Sequence, residues 1–126
     1  MSLDVILCLF EEIVEAIDLI KLRASDILKP DDFLKDQTGV MKLDSIAMRL
    51  QVIGEAIKKV DKLDADLLSK YPEIEWRKIR RMRDFISHHY NELDEDEVFT
   101  AVKYDLPQLE IVVHKIMNDI NKSGIG

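Results

Sequence analysis

Four glycines and three prolines are spread over 126 residues. That is too few for the dense turns of a strand-rich fold, and it favours long regular elements. A single cysteine, Cys8, excludes an internal disulfide. It lies in the apolar run Val5–Phe10 and reads as a small buried hydrophobe. The N-terminus lacks a basic region and its apolar run is broken by Glu11 and Glu12, which does not fit a secretory signal. No stretch approaches the ~20 apolar residues of a membrane span, so the expected compartment is the cytoplasm, with no membrane partner. There is no glycine-rich phosphate loop. Glu-x-x-His pairs are missing too, because Phe85, Ile86 and Ile111 stand three before the histidines. No metal site is expected. Glu110 and His114, four apart, read as a surface ion pair.

Hydrophobic residues make up 47% of the chain and charged residues 34%, a balance that builds a packed core under a solvated surface. The net charge of −7 opposes bulk affinity for nucleic acid. The charge is uneven, however. Residues 77–83 read Arg-Lys-Ile-Arg-Arg-Met-Arg, five cations in seven positions. They form either a solvated helix face or a phosphate-binding strip made of Arg77, Lys78, Arg80 and Arg81.

Apolar spacing predicts helices throughout. Ser2 or Asp4 caps a first helix reaching about Leu28, with Val5, Ile6, Leu9, Phe10, Ile13, Ile17 and Ile20 on its buried face. Pro30 breaks the chain, a short helix covers Asp32–Thr38, and Gly39 ends it. A second long helix spans about Val40–Lys62, its stripe formed by Leu43, Ile46, Ala47, Leu50, Ile53, Ile57 and Val60. Asp64 or Asp66 caps a turn or two around Leu67-Leu68. Pro72 opens a third long helix, with Glu73 and Glu75 at its positive end. The last stretch starts at Asp94, which with Glu97 resembles a capping box. It runs to about Ile120 and is kinked or split at Pro107. The expected fold is an all-α antiparallel bundle, one helical domain over 1–126 with 121–126 as a frayed tail.

The third helix places Trp76, Ile79, Arg83, Ile86 and Tyr90 on one line. Arg83 is out of character there, since an unpaired buried guanidinium is costly. It snorkels out of the stripe, pairs with a carboxylate such as Asp84 or Glu55, or lines a groove that takes an anion. All three alternatives stand at this point. His88 and His89 adjoin it. Imidazole titrates near neutral pH, and an arginine stabilises charge on a phosphate. Together these are the parts of metal-free RNA cleavage, in which a base takes the 2′-hydroxyl proton, cations hold the phosphorus and an acid protonates the leaving oxygen. Arg83 and His88 diverge by about 140° on an ideal helix. They share a cleft only if the helix loosens near Ser87 or if a two-fold homodimer supplies two copies.

The octet Arg83-Asp84-Phe85-Ile86-Ser87-His88-His89-Tyr90 resembles the Arg-x4-His-x-Tyr signature of HepT-like toxins in the HEPN superfamily. The resemblance extends to Arg49 with Glu55-Ala56, to Pro72 and Trp76, to Val98-Phe99 and to Leu106-Pro107. It implies a dimeric helical bundle, a metal-independent endoribonuclease without a cofactor of its own, and a nucleotidyltransferase antitoxin of the MNT type as partner. By the same resemblance Arg83 binds the scissile phosphate and His88 is the acid–base residue. Tyr90 takes an AMP that the antitoxin transfers from ATP. Asp84, Ser87 and His89 support the site. Asp84 stands where the family often has Asn and weakens the local positive field. His89 competes with His88 for the acid–base role, and the His-x-Tyr spacing selects His88. A second reading is a non-catalytic HEPN module that binds a nucleotidyltransferase or a nucleotide ligand.

Overall fold

The computed structural model describes residues 2–125, and among them every regular element is helical. Helix α1 covers Ser2–Arg23, α2 Gln37–Leu63, α3 Trp76–His89, α4 Glu95–Thr100 and α5 Leu106–Ile125. Short 3-10 turns lie at Pro30–Phe33, Leu68–Lys70 and Tyr90–Glu92. A π-helical segment, Ala101–Asp105, joins α4 to α5. Helix α2 is the hub, with α1 on one side and α3 on the other, while α5 closes over α1. The all-α bundle expected from periodicity is the observed fold.

Its core follows the predicted stripes. Ile6, Phe10, Ile13, Ile17 and Ile20 of α1 are fully buried against Ile46, Ile57 and Val60 of α2 and against Val113 and Ile116 of α5. Two members of the α1 run do not join them: Val5 is half exposed and Cys8 is exposed. They stand on the flank of the stripe, where no helix covers them.

Several boundaries differ from those read in the sequence. Helix α1 ends at Arg23, five residues early, because Ser25 N turns back to Leu22 O at 3.4 Å and tightens the chain. Asp4 lies in the first turn of α1 and not at its cap, and the side chain of Ser2, the other candidate, lies outside the described ones. The segment expected as a short helix at Asp32–Thr38 is instead a 3-10 turn followed by the start of α2. Asp36 caps α2 by accepting from Gly39 N at 2.8 Å. Gly39 therefore begins a helix instead of ending one. It is glycine for a steric reason: a Cβ there would lie 2.3 Å from Asp32 O.

Pro72 lies in a turn ahead of α3, which starts four residues later at Trp76. The Trp76 indole donates to Tyr71 O at 3.0 Å and fixes that turn outside the helix. The turn expected around Leu67-Leu68 is the 3-10 turn Leu68–Lys70, and both leucines are buried. Asp94 caps α4, accepting from Asp96 N at 2.8 Å. Pro107 falls in the first turn of α5, directly after the π segment. Wider π hydrogen bonding absorbs the donor that proline lacks, so the last stretch is split there. α5 then continues to Ile125, past the end expected near Ile120. Of the tail, Gly126 lies outside the described residues.

Candidate active site

Helices α2 and α3 run antiparallel, and one edge of their interface is a polar ladder. Arg80 Nη1 donates to Asp61 at 2.7 Å, Arg83 pairs with Glu55, and Gln51 Nε2 donates to Ser87 Oγ at 3.1 Å. At the end of α3, Asp44 of α2 stands near enough to the Tyr90 phenol to raise its pKa. The α3 members fall three, four and three residues apart and so share one face of that helix.

Arg83 is the centre of the ladder. Its side chain is 18% exposed, which rules out simple snorkelling. Nε and Nη2 both reach Glu55 Oε1, and Nη1 donates to Asp84 Oδ1 at 2.7 Å. Of the alternatives open in the sequence, the carboxylate pairing is the observed one, and with two carboxylates. Asp84 first, then Glu55, raise the guanidinium pKa, so Arg83 is a permanent cation. In return the Arg83 hydrogen bond holds the Asp84 carboxyl below its ordinary range, with the charges of Lys58 and His88 adding to it. Gly54 makes this approach possible: a Cβ on it would lie 2.3 Å from the Cβ of Arg83. No other residue type lets α3 come so close to α2 at this level.

His88 is exposed, and its Nδ1 lies 2.9 Å from Asp84 O. A carbonyl oxygen only accepts, so this hydrogen bond requires the proton on Nδ1. A neutral His88 then offers the Nε2 lone pair to solvent. His89 is used differently. Its ring packs against Phe85 with centroids 5.2 Å apart, and its Nδ1 is 3.8 Å from Glu92. Tyr90 is 42% exposed. Desolvation of the phenol, followed by the nearby Asp44, pushes its pKa up to about 12.

Helix α3 is regular through His89 and gives way to a 3-10 turn only at Tyr90. Of the two ways for Arg83 and His88 to share a cleft, a loosening near Ser87 does not occur: Ser87 is tied to α2 by Gln51 and the helix continues past it. Within one chain, Arg83 thus faces α2 while His88 lies on the outer face of α3. On that outer face Arg77, Arg81, Asp84 and His88 follow at positions i, i+4, i+7 and i+11, one stripe. Arg77 and Arg81 make no ion pair among the described residues. Lys78 pairs with Asp105 at 3.1 Å and Arg80 with Asp61. The cationic strip is therefore divided into two free residues and two engaged ones. Glu110 pairs with Lys21 at 3.2 Å, and not with His114 as expected.

Sequence reasoning did not single out Asp44, Gln51 or Gly54. The first two carried a signal, because Asp44, Gln51 and Glu55 stand seven and four apart on α2 and so mark a polar stripe. Gly54, a lone glycine inside a helical pattern, was the other sign of a close approach.

Among the described residues every regular element is helical, and the third helix carries Arg83 on the side that faces α2 and His88 on its outer face. The chain belongs to the ribonuclease HepT-like family, whose family model matches residues 13–116. It is similar to a protein of Thermococcus cleftensis named "Probable ribonuclease HepT", 36% identical over 100 residues that cover 79% of this chain and 84% of the relative. It also resembles a Methanocaldococcus jannaschii protein named as a gamma-glutamylcyclotransferase and candidate RNase. There the identity is 32% over 111 residues, 88% of this chain and 47% of the relative. A candidate RNase of the same organism is 39% identical over 71 residues, 56% of each chain. The chain thus spans only about half the length of these two archaeal relatives. No solved structure matches it significantly. No helix among the described residues is long and apolar enough to cross a membrane.

Proposed function

We propose that the chain is a metal-independent endoribonuclease toxin in which His88 is the acid–base residue and Arg83 the phosphate-stabilising cation. The observation that carries this reading is the fixed orientation of His88. Its Nδ1 proton is held by Asp84 O and its Nε2 faces solvent, in line with the unpaired Arg77 and Arg81. RNA lies along that stripe with its phosphates on the two arginines. Nε2 takes the proton from a 2′-hydroxyl, and the oxygen attacks the adjacent phosphorus. The 5′-oxygen leaves with a proton from a second imidazole, giving a 2′,3′-cyclic phosphate and a 5′-hydroxyl.

Arg83 enters through Asp84. The Asp84 side chain is 62% exposed, so a phosphate can displace it from Nη1 while Glu55 keeps the guanidinium in place. Because Arg83 and His88 point apart in one chain, the cleft is composite. A two-fold homodimer supplies the arginine of one chain and the histidine of the other, as well as the second imidazole.

Tyr90 is the proposed modification target. A nucleotidyltransferase antitoxin transfers AMP from ATP: the phenol oxygen attacks the α-phosphorus, pyrophosphate leaves, and Asp44 accepts the proton. A base is needed because the phenol pKa of about 12 keeps it protonated at neutral pH. The adduct places a phosphodiester on the α2–α3 edge, where it competes with RNA for Arg83 or Arg80.

Expression of the chain alone tests the reading. Growth arrest is expected, relieved by Arg83→Ala and by His88→Ala, and Tyr90→Phe is expected to remain toxic in the presence of the antitoxin. Arrest that persists unchanged in both site variants contradicts it.

A further inference from the structure

On the other flank of α3, away from the ladder, a groove of about 540 Å³ separates α3 from α4. Its floor is apolar, with Met82, Phe85, Leu93 and Val98, and its two lips are of opposite charge. Arg81 stands on the α3 lip, with the Lys78–Asp105 ion pair alongside. Asp96 and Glu97, both exposed, stand on the α4 lip. None of Arg81, Asp96 or Glu97 makes an ion pair among the described residues. Desolvation and the charges of Asp94, Glu95 and Asp31 raise the Asp96 carboxyl, so this lip is short of positive partners.

We propose that this groove is a nucleobase subsite of the RNA-binding surface, selective for bases that carry an exocyclic amine. The inference rests on the ribonuclease reading and adds to it a place for the base beside the scissile phosphate. The groove's polarity is that of a nucleotide. Its cationic lip belongs to the stripe on which the backbone would lie, and Arg81 precedes His88 by seven residues, about 10 Å along the helix. A base turned sideways from that backbone stacks on Phe85, whose ring is partly buried and already carries His89 on one side. The far lip offers acceptors only. Cytosine, adenine and guanine bring an amino group to it; uracil brings two carbonyl oxygens and a single N3–H between them, and pairs less well. A protein segment could use the apolar floor, but it would have no need of a phosphate-binding cation on one lip alone.

The test measures binding of labelled oligo(A), oligo(C) and oligo(U) octanucleotides to the full chain carrying His88→Ala, so that nothing is cut. Oligo(A) and oligo(C) are expected to bind about fivefold or more tighter than oligo(U). Adding Phe85→Leu weakens oligo(A) and oligo(C) about tenfold. Adding Glu97→Gln, a change on an exposed side chain, narrows their lead over oligo(U). If Phe85→Leu fails to fold, the Glu97→Gln arm decides. Equal affinity for all three probes, unchanged by either substitution, overturns the subsite and assigns the groove to something other than RNA. The ribonuclease reading survives that result if Arg77→Ala with Arg81→Ala still weakens every probe. Failure of all three probes to bind at low salt overturns both.

Discussion

Arg83 is held where a lone guanidinium could not stay, 18% exposed between two carboxylates. Glu55 anchors it and Asp84 neutralises it, so each substitution has its own consequence. Glu55→Gln keeps an acceptor but loses the charge. Because Glu55 is itself 35% exposed, the expected loss of unfolding free energy is about 1 kcal/mol, below the range for a dry pair. RNA affinity falls with it as the guanidinium loses its fixed position. A chemical-denaturation midpoint and an RNA-binding curve on one sample check both; an unchanged midpoint contradicts the anchoring role. Much of this was legible. Helical spacing set Arg83 in an apolar line, and Asp84 and Glu55 were the carboxylates within reach. Which of three fates the arginine met was not legible, because it depends on how closely α2 approaches. Cys8 was misread for a similar reason: its neighbours are apolar, but exposure is decided by which helix covers that flank.

The elements that carry the site owe their placement to two residues with little chemistry of their own. Gly54 allows α3 to touch α2 at Arg83. Alanine is the better helix former by about 1 kcal/mol, yet a Cβ at 2.3 Å from that of Arg83 forces the helices apart at a cost of about 1–3 kcal/mol. Gly54→Ala is therefore expected to lower the melting temperature and to weaken cleavage; a rise in melting temperature contradicts the packing account. Tyr71 fixes the turn ahead of α3. It is buried, and its hydroxyl donates to Asp119 at 2.7 Å. Desolvation first, and then Asp119, push its pKa up to about 12 from 10.0. A group whose pKa is raised by folding contributes stability that is complete below its unfolded value and is lost as pH rises through the folded one. The parent is thus expected to lose more stability between pH 10 and about 12 than Tyr71→Phe, which keeps only the like contribution of Tyr90. Parallel thermal melts from pH 9 upward read this directly, and identical slopes contradict it. Long helices were legible because their apolar stripes repeat over many turns. The start of α3 was not. Pro72 is a fair first-turn residue, and it takes the Trp76 indole on Tyr71 O, with Gln108 donating to Glu73 O, to hold the chain out of the helix there.

At the scale of the molecule, the regularity of α3 through His89 turns Arg83 and His88 to different sides of one chain. The composite site proposed on that ground can be tested by mixing. Arg83→Ala and His88→Ala chains, each inactive alone, are expected to regain part of the parent's activity when co-refolded, because one of the two clefts then holds an intact arginine and one intact histidine, while the second imidazole is still missing. Sedimentation should give particles of twice the chain's mass at micromolar concentration, and particles of one chain's mass contradict the composite cleft. The account's central claim is that His88 moves the proton in metal-free cleavage of RNA, and product analysis tests it most directly. The purified chain is incubated with RNA in excess EDTA, beside His88→Ala and His89→Ala. The prediction is fragments ending in a 2′,3′-cyclic phosphate from the parent and from His89→Ala, with none from a His88→Ala protein that keeps the parent's helicity and melting temperature. Cleavage that stops with EDTA, or that survives in His88→Ala and is lost in His89→Ala, would contradict it.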